Sequence, residues 1–323
     1  MLFFIETVIS GLLAGVMYSL VALGFVLIFK ASGVFNFAQG VMALFAALTL
    51  VGLLNGTMPF THIDYPQFAL PVWLAIPITI LVMIGVAILV ERFILRHLVN
   101  QEHIILFMAM VGLSYVFEGV GDIIWGSDVK VLDLGLPQGA WDWMLDTHGL
   151  YIEKIEMVAA LTAGILVAVL AVFFQKTRIG RALRAVADDH QAALSVGISL
   201  RTIWVIVWSV AGIVALVTGV MWGAKSGIQF SLSLIALKAL PVLILGGFES
   251  IPGAIVGGLI IGVGEKLMEV YGGQVIVATF GGFMEIDPSI FTATENWFAY
   301  VLALVFLLFR PQGLFGEKII ERV

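Results

Sequence analysis

The 323-residue sequence contains no cysteine and few charged residues, and both shortages narrow the range of possible proteins. Without cysteine, disulfide bonds are excluded. Only 12% of the residues are Asp, Glu, Lys or Arg, about half the share typical of soluble proteins. In contrast, 61% are hydrophobic and the mean hydropathy is +1.10. This composition excludes an ordinary soluble domain and indicates a membrane protein.

Long uncharged runs supply the membrane spans. Residues 7–29 and residues 66–90 contain no charged side chain, and about 20 apolar residues cross a hydrocarbon core of roughly 30 Å. The short alternating strands of a membrane β-barrel do not occur in the sequence. We therefore predict an all-α polytopic membrane protein with eight or nine transmembrane or half-membrane helices, near residues 7–29, 34–54, 68–90, 104–122, 157–174, 202–222, 232–247, 252–270 and 296–309.

Two of these stretches are candidates for a broken or re-entrant helix. The stretch 34–54 has Asn36, Gln39 and Gly40 near its start, which favours a broken or half-depth helix. The stretch 232–247 is short and contains Lys238 and Pro241. If it is re-entrant, the number of spans is eight. For Lys238, both a structural ion pair and a substrate contact remain open.

The basic residues predict the orientation of the chain. The first six residues lack a basic region, so we interpret residues 7–29 as a permanent span and not as a cleavable signal peptide. With the N-terminus outside and the C-terminus inside, 11 of the 16 Lys and Arg residues fall in inside loops. Residues 176–201 then lie inside, and an acidic loop at about 123–156 lies outside. No linker divides the chain, so we expect a single membrane domain over residues 1–323.

The sequence also lacks the motifs of several enzyme and binding classes. It has no G-x-x-x-x-G-K-[ST] phosphate loop and no H-E-x-x-H pattern. Its five histidines are scattered, and no pair of acids suggests a hydrolase site. No basic surface with interleaved aromatic residues favours nucleic-acid binding. We therefore expect no catalytic site, no metal site and no cofactor in this chain, and the lipid bilayer in place of a nucleic-acid partner.

One charged stretch interrupts the apolar sequence. Residues 176–201, which we call the charged segment, are rich in alanine and carry five basic residues. Gly180 and Gly197 bracket a stretch with helical spacing of apolar residues, which predicts one or two amphipathic helices. The apolar residues expected near one face are Ile179, Leu183, Val186 and Leu194. Either the segment rests on lipid headgroups, or it is a docking helix for a soluble partner.

Residues 191–197, QAALSVG, resemble the EAA-x-x-x-G loop of ABC importer permeases. They have Gln in place of Glu and lack the proline-containing tail of that motif. Further stretches resemble the branched-chain amino-acid ABC permeases of the Liv type. These stretches are 11–24, 33–40 (GVFNFAQG), 180–188 (GRALRAVAD), 246–265 and 310–316 (RPQGLFG). They occur in register over nearly the full length, and the likeness extends to the H-type subunit.

The resemblance implies a non-catalytic permease subunit of an importer in the bacterial inner membrane. It implies a second, M-type permease subunit, two ABC ATPase subunits that bind ATP and Mg²⁺, and a periplasmic substrate-binding protein. The family's typical substrates are leucine, isoleucine and valine, and some relatives carry urea, amides or other amino acids. The charged segment would contact the ATPase through Arg181, Arg184, Asp188, Asp189, Gln191, Ala192, Ala193 and Gly197.

Polar residues within the spans are candidates for the translocation pathway. Asn36 and Gln39 either satisfy broken backbone or line a polar passage. Glu118 either lines the pathway or forms a structural pair, and Tyr18 could face the same passage. An ion-coupled secondary transporter, with Glu118 as an essential titratable group, is the alternative function. A third hypothesis, a membrane enzyme, lacks clustered catalytic residues. Repeated G-x-x-x-G spacings, as at Gly11 and Gly15, predict close helix packing.

Overall fold

A computed structural model describes residues 2–98, 101–188, 190–275 and 295–316. This part of the chain is mostly helical. Its α-helices are α1 (Leu2–Ser32), α2 (Gln39–Asn55), α3 (Val72–Phe93), α4 (His103–Trp125), α5 (Asp142–His148), α6 (Lys154–Lys176), α7 (Arg178–Asp188), α8 (His190–Ser195), α9 (Leu200–Ser226), α10 (Ile235–Gly246), α11 (Ile251–Leu267) and α12 (Glu295–Phe309).

Short elements join these helices. A two-stranded antiparallel hairpin, β1 (Thr57–Met58) and β2 (Ile63–Asp64), follows α2. Three 3₁₀ turns occur at Pro66–Phe68, Leu95–His97 and Phe230–Leu234, and a π-helical turn, Met268–Gly272, extends α11.

The helices confirm the all-α polytopic prediction. Each of the nine expected stretches contains a helix. Six are long and apolar enough to cross a bilayer, namely Leu2–Ser32, Val72–His97, Ile104–Trp125, Lys154–Lys176, Leu200–Ser226 and Ile251–Val275. Three apolar helices are shorter, namely Gln39–Asn55, Phe230–Gly246 and Trp297–Phe309. The first two of these, Gln39–Asn55 and Phe230–Gly246, lie in the two stretches predicted to be broken or re-entrant.

The helix α2 begins part of the way along its neighbour α9. The amide Nε2 of Gln39, the first residue of α2, donates to the carbonyl of Ala211 at 3.3 Å. Ala211 lies about 16 Å from the start of α9, a helix of about 40 Å at 1.5 Å per residue. The non-helical residues 33–38, which we call the first entry segment, therefore carry the chain to mid-helix depth before α2 begins. The interruption before α2 agrees with the broken helix that the sequence favours at 34–54.

A second non-helical stretch reaches the same level. A Cβ on Gly40 would overlap the carbonyl oxygen of Ser233 and lie 2.7 Å from the Cβ of Ala236. Only glycine at this position lets the start of α2 meet the start of α10. Residues 227–234, which we call the second entry segment, thus end beside Gly40. Two helices of the described chain therefore begin at one depth, each after its own entry segment.

By its internal contacts the chain divides into two compact units, which we name by their place in the sequence. The terminal unit comprises Met1–Ala22, Pro137–Ile165 and Leu237–Val323, and the middle unit comprises Leu23–Leu136 and Leu166–Ala236. In the middle unit, α9 packs closely on α2 and α3. A Cβ on Gly219 would overlap the backbone of Ala43, and one on Gly212 would lie 3.2 Å from the Cβ of Met83.

Glycine also sets the packing of α1 on α11 in the terminal unit. A Cβ on Gly15 would lie 2.6 Å from the carbonyl oxygen of Gly258, and one on Gly11 would lie 2.7 Å from the Cα of Val263. Ser19 on α1 donates to the carbonyl of Ile255 at 3.1 Å. The two backbones meet where Gly11 and Gly15 leave space, which confirms the packing role predicted from their spacing.

Three hydrogen bonds in the terminal unit satisfy carbonyls of α10 from outside the helix. Pro241 has no N–H to donate to the carbonyl of Leu237, and the hydroxyl of Tyr300 on α12 donates to that carbonyl at 2.7 Å. At the other end of α10, Leu314 N–H donates to the carbonyl of Leu245 at 2.8 Å, and Phe315 N–H donates to that of Gly246 at 3.2 Å. We call residues 310–316 the C-terminal strap.

Candidate functional site: the charged segment and the half-depth turn

The charged segment forms two short helices, α7 and α8, between α6 and α9. The hydroxyl oxygen of Thr177 accepts a hydrogen bond from Gly180 N–H at 3.0 Å, which satisfies a free donor in the first turn of α7. Gly180 is buried, and a Cβ there would overlap the backbone of Phe174. The glycine therefore lets α7 fold back against the end of α6.

The inner face of the segment is apolar and anchored to the protein. Leu183, Val186 and Ala193 are buried. The guanidinium of Arg184 donates to the carbonyl of Phe174 at the end of α6, so Arg184 has a structural contact within the chain. The expectation that Ile179 and Leu194 share this face with Leu183 and Val186 is wrong, because Ile179 is 37% exposed and Leu194 is 53% exposed.

The outer face combines small, polar and apolar residues. Arg181, Gln191 and Ala192 are exposed. Val196 is 73% exposed, beside the exposed Leu194. Leu194 and Val196 do not pack on the inner face. Their spacing in the sequence did not predict this exposure. The charged segment thus presents two exposed aliphatic side chains on the side opposite to its anchored inner face.

A glycine turn ends α8. Gly197 has a φ of +86°, a conformation that residues with a side chain rarely adopt. Its N–H donates to the carbonyl of Leu194 at 3.0 Å, and Ile198 N–H donates to that of Ala193 at 3.0 Å. The chain then turns into α9, where the Ser199 hydroxyl accepts from Thr202 N–H. Asp188 is the last residue of α7, and Asp189 lies outside the described residues.

The half-depth turn consists of Asn36 and Gln39, and the structure brings these two predicted residues together. Asn36 Nδ2 donates to Gln39 Oε1 at 3.1 Å, and Asn36 Oδ1 accepts from Ala38 N–H at 3.2 Å. Both side chains are buried. A Cβ on Gly24 would overlap the Gln39 amide, so α1 provides the space for it. The amides thus supply hydrogen bonds where the helix is interrupted, one of the two roles expected from the sequence.

The other two pathway candidates lie on different helices. Tyr18 on α1 is buried in the terminal unit, and the ammonium of Lys238 lies 5.8 Å from the centre of its ring. Glu118 is half-buried on α4, in the middle unit. Within the described ranges, no three His, Asp or Glu side chains are grouped so that they could hold a metal ion.

An ion pair that the sequence did not reveal joins the last residue of the charged segment, Arg201, to α3. Arg201 Nε, in the first turn of α9, lies 3.4 Å from Glu91 Oε2, near the end of α3. Glu91 follows a long apolar run, stands next to Arg92 and belongs to no motif, so only the fold could identify Arg201 as its partner.

The loop between α4 and α6 contains a second ion pair. Lys154 Nζ donates to Asp142 Oδ2 at 2.9 Å. This hydrogen bond and the positive charge of Lys154 lower the pKa of Asp142 below its ordinary value. A backbone bridge between Ala140 and Glu153 closes the same region.

Comparison with known proteins covers nearly the whole chain. Residues 7–310 match the family described as branched-chain amino acid transport system / permease component. The chain is 26% identical to the high-affinity branched-chain amino acid transport system permease protein BraD of Pseudomonas aeruginosa, over 99% of this chain and 98% of that protein. It is 25% identical to the LivH permease protein of Salmonella typhimurium, over 100% of this chain and 98% of LivH.

Among solved structures, the chain is similar to PsaBC from Streptococcus pneumoniae in complex with Fab. The identity is 12%, the coverage is 94% of this chain and 91% of that one, and the TM-score is 0.45. The family match, in contrast, spans all the helices from α1 to α12. The chain therefore belongs to the family of branched-chain amino acid transport system permease components.

Proposed function

We propose that the chain is a membrane-spanning permease subunit of a bacterial ABC importer that carries branched-chain amino acids across the inner membrane. The family match over residues 7–310 carries this proposal. BraD and LivH, which align over almost their full lengths, are named as high-affinity permeases for this substrate class. Neither the family nor these relatives favour the ion-coupled alternative.

The proposed complex divides the work between chains. This subunit pairs with a second permease subunit, two ATPase subunits bind ATP and Mg²⁺, and a periplasmic binding protein delivers the amino acid. The chain acts as one functional membrane domain without a catalytic site. The distribution of basic residues supports a periplasmic N-terminus and a cytoplasmic C-terminus. The region around α5 then faces the periplasm.

The charged segment is the contact with an ATPase subunit. Its inner face is fixed by Leu183, Val186 and Arg184, so a force applied to its outer face reaches the rest of the chain. The exposed Leu194 and Val196 suit an apolar pocket on a soluble partner. Arg181, Asp188, Asp189, Gln191, Ala192 and Gly197 complete the proposed contact region, and the buried Ala193 belongs to the inner face that positions them.

The translocation pathway passes the half-depth turn. The interruption of α2 at Asn36 and Gln39 supports this location, because irregular backbone at membrane depth is tolerated where it is buried or lines a cavity. Tyr18 and Glu118 are the other proposed pathway residues. Here the substrate passes polar amides whose hydrogen bonds can be exchanged as the helices move.

ATP-dependent uptake tests the proposed function. The complete transporter is reconstituted in proteoliposomes, and leucine uptake is measured with ATP or with an imposed proton or sodium gradient. We expect uptake with ATP and the binding protein only. Uptake driven by an ion gradient alone, together with its loss in Glu118→Gln, would instead establish the ion-coupled alternative.

Two valines provide a matched test of the ATPase contact. Val196 in the charged segment is 73% exposed, and Val131 in the loop after α4 is 78% exposed. We expect Val196→Asp to lower ATP-dependent uptake at least about tenfold, because a desolvated carboxylate at an interface costs more than ~1.4 kcal/mol. Val131→Asp should leave uptake unchanged. Equal effects of the two substitutions would exclude a docking role specific to Val196.

The same two positions test the orientation. Because the chain has no cysteine, Val131→Cys and Val196→Cys each introduce a single thiol. A membrane-impermeant maleimide applied to the periplasmic side should label the first variant and not the second. The reverse pattern would contradict the proposed topology.

A further inference from the structure

The charged segment leads into α9, and one ion pair joins the beginning of α9 to the end of α3. Arg201 Nε lies 3.4 Å from Glu91 Oε2. The Glu91 side chain is 2% exposed, whereas that of Arg201 is 58% exposed. A buried carboxylate thus meets a cation that is accessible from the surface, directly after the glycine turn of the charged segment.

Neither residue is stabilised by its own helix. A positive charge in the first turn of a helix and a negative charge in the last turn are both disfavoured by the helix dipole. Arg201 is the second residue of α9, and Glu91 is the third residue from the end of α3. Because the two helices run antiparallel, each side chain complements the end of the neighbouring helix. The positions of both residues are therefore explained by the contact between α3 and α9.

The carboxylate depends on this contact. Oε2 of Glu91 has no hydrogen-bond partner among the described residues, and its 3.4 Å distance to Arg201 is an ion pair without hydrogen-bond geometry. A buried charge needs a partner of opposite charge. Displacement of Arg201 would leave the Glu91 carboxylate without its charge partner, so the ion pair resists separation of the two helix ends.

The helix α9 continues from this ion pair to the half-depth turn. It has no proline between Leu200 and Ser226, and the carbonyl of Ala211, ten residues after Arg201, accepts from the Gln39 side chain. The close contact at Gly212 and Met83 holds α9 on α3 at the same level. Rigid helices and packed contacts of this kind can carry energetic coupling between sites.

We propose that Glu91 and Arg201 form a positioning pair that ties the exit of the charged segment to α3. A movement imposed on the charged segment then displaces α3 and α9 together and reaches the turn at Gln39. Loss of the pair lets α9 move without α3. ATP is then hydrolysed without opening of the translocation pathway. This inference rests on the proposed ATP-driven function. It assigns the coupling to Glu91 and to Arg201, the last residue of the charged segment, neither of which is among the residues proposed to touch the ATPase.

The test is the number of ATP molecules hydrolysed per leucine transported by the complete reconstituted complex. Glu91→Gln is nearly isosteric and leaves no buried charge, so it should assemble. We expect Glu91→Gln and Arg201→Gln each to raise the ratio about fivefold or more, corresponding to the usual size of an allosteric coupling. The double variant should resemble either single variant, and Arg201→Lys should restore much of the normal ratio.

The neighbouring Arg92 is the matched control. It is exposed at the same end of α3, and Arg92→Gln should leave the ratio unchanged. A normal ratio in Glu91→Gln and in the double variant, with intact complexes, would overturn the proposal and leave the proposed transport function standing. Absence of ATP-driven uptake in the unmodified complex would overturn the transport function itself.

Discussion

Both entry segments contain backbone N–H and carbonyl groups that have no partner within a helix. The two segments satisfy these groups in different ways. In the first, residues 33–38, Asn36 Oδ1 accepts from Ala38 N–H, and the Gln39 amide links Asn36 to the Ala211 carbonyl of α9. In the second, residues 227–234, Ile228 exchanges two backbone hydrogen bonds with Lys130, at 2.8 and 2.9 Å. The first solution depends on side-chain identity, and the second depends on which backbone lies nearby.

This difference determines how each segment tolerates change. A side-chain amide is lost by one substitution, which leaves buried groups without partners. A backbone bridge survives most substitutions, because nearly every residue retains its N–H and carbonyl. We therefore expect the first entry segment to be sensitive to truncation of its side chains, and the second to be sensitive only to removal of a backbone donor.

The largest effect is expected when a side chain fills the gap at Gly24 that the Gln39 amide occupies. Gly24→Leu would push the Gln39 amide out of its buried position, since even a Cβ overlaps it. Overpacking and unpaired polar groups together should lower the free energy of unfolding by about 4 kcal/mol. Unfolding in mixed detergent micelles measures this loss. Gly112→Leu on α4, where a Cβ meets nothing within 4 Å, should not lower the stability, because leucine favours the helix more than glycine does.

In the second entry segment, two substitutions at one position separate backbone from side chain. Lys130→Pro removes the N–H that donates to the carbonyl of Ile228, which should cost about 3 kcal/mol in the same assay. Lys130→Ala keeps that N–H and should cost less than ~0.5 kcal/mol. Similar losses in both variants would show that the lysine side chain, and not the backbone bridge, stabilises this segment.

A smaller effect is expected from truncation of one glutamine in each segment. Gln39→Ala removes the hydrogen bonds to Asn36 and Ala211 and should cost about 2 kcal/mol. Gln229 precedes the turn Phe230–Leu234 without a side-chain capping hydrogen bond, so Gln229→Ala should cost less than ~0.5 kcal/mol. The comparison between the two entry segments fails if the two alanine variants unfold alike.

The smallest effect is expected from acid, outside both entry segments. The turn of Asn36 and Gln39 is built from amides that do not titrate, whereas Asp142 has a pKa lowered by Lys154. The stabilisation from this pair is present above the ordinary Asp pKa of about 3.9 and is lost as the pH falls through the lower folded value. The protection factors of the amides in residues 140–153, which correct for the intrinsic exchange rate at each pH, should therefore fall only below about pH 4, and Asp142→Asn should remove this pH dependence.

The contrast between side-chain and backbone hydrogen bonds in the two entry segments also explains how much of the fold the sequence could predict. Hydropathy located the spans, and Asn36 with Gln39 marked the interruption of α2, because a polar pair in an apolar run has a physical cost that must be offset. The spacing of Gly11 and Gly15 predicted a close contact. The bridge of Lys130 to Ile228 could not be predicted, since backbone pairing between distant segments leaves no mark on residue identity.

Two features near the charged segment also required the fold. Leu194 has the spacing of an inward residue, but α7 and α8 are separate helices, so it does not continue the buried stripe of Leu183 and Val186. Glu91 and Arg201 are 110 positions apart in the sequence, and neither indicates the other. Local periodicity predicts the buried stripe of Leu183 and Val186. The ion pair depends on a long-range contact, which periodicity does not show.

The C-terminal strap has a consequence for the synthesis of the protein. The last carbonyls of α10 accept hydrogen bonds from Leu314 and Phe315, about seventy positions later in the chain. During translation these residues are made about seventy positions after α10, so α10 is synthesised before the hydrogen-bond donors for that end exist. A ribosome stalled a few codons before position 314 therefore presents a nascent chain in which this helix end has not yet closed.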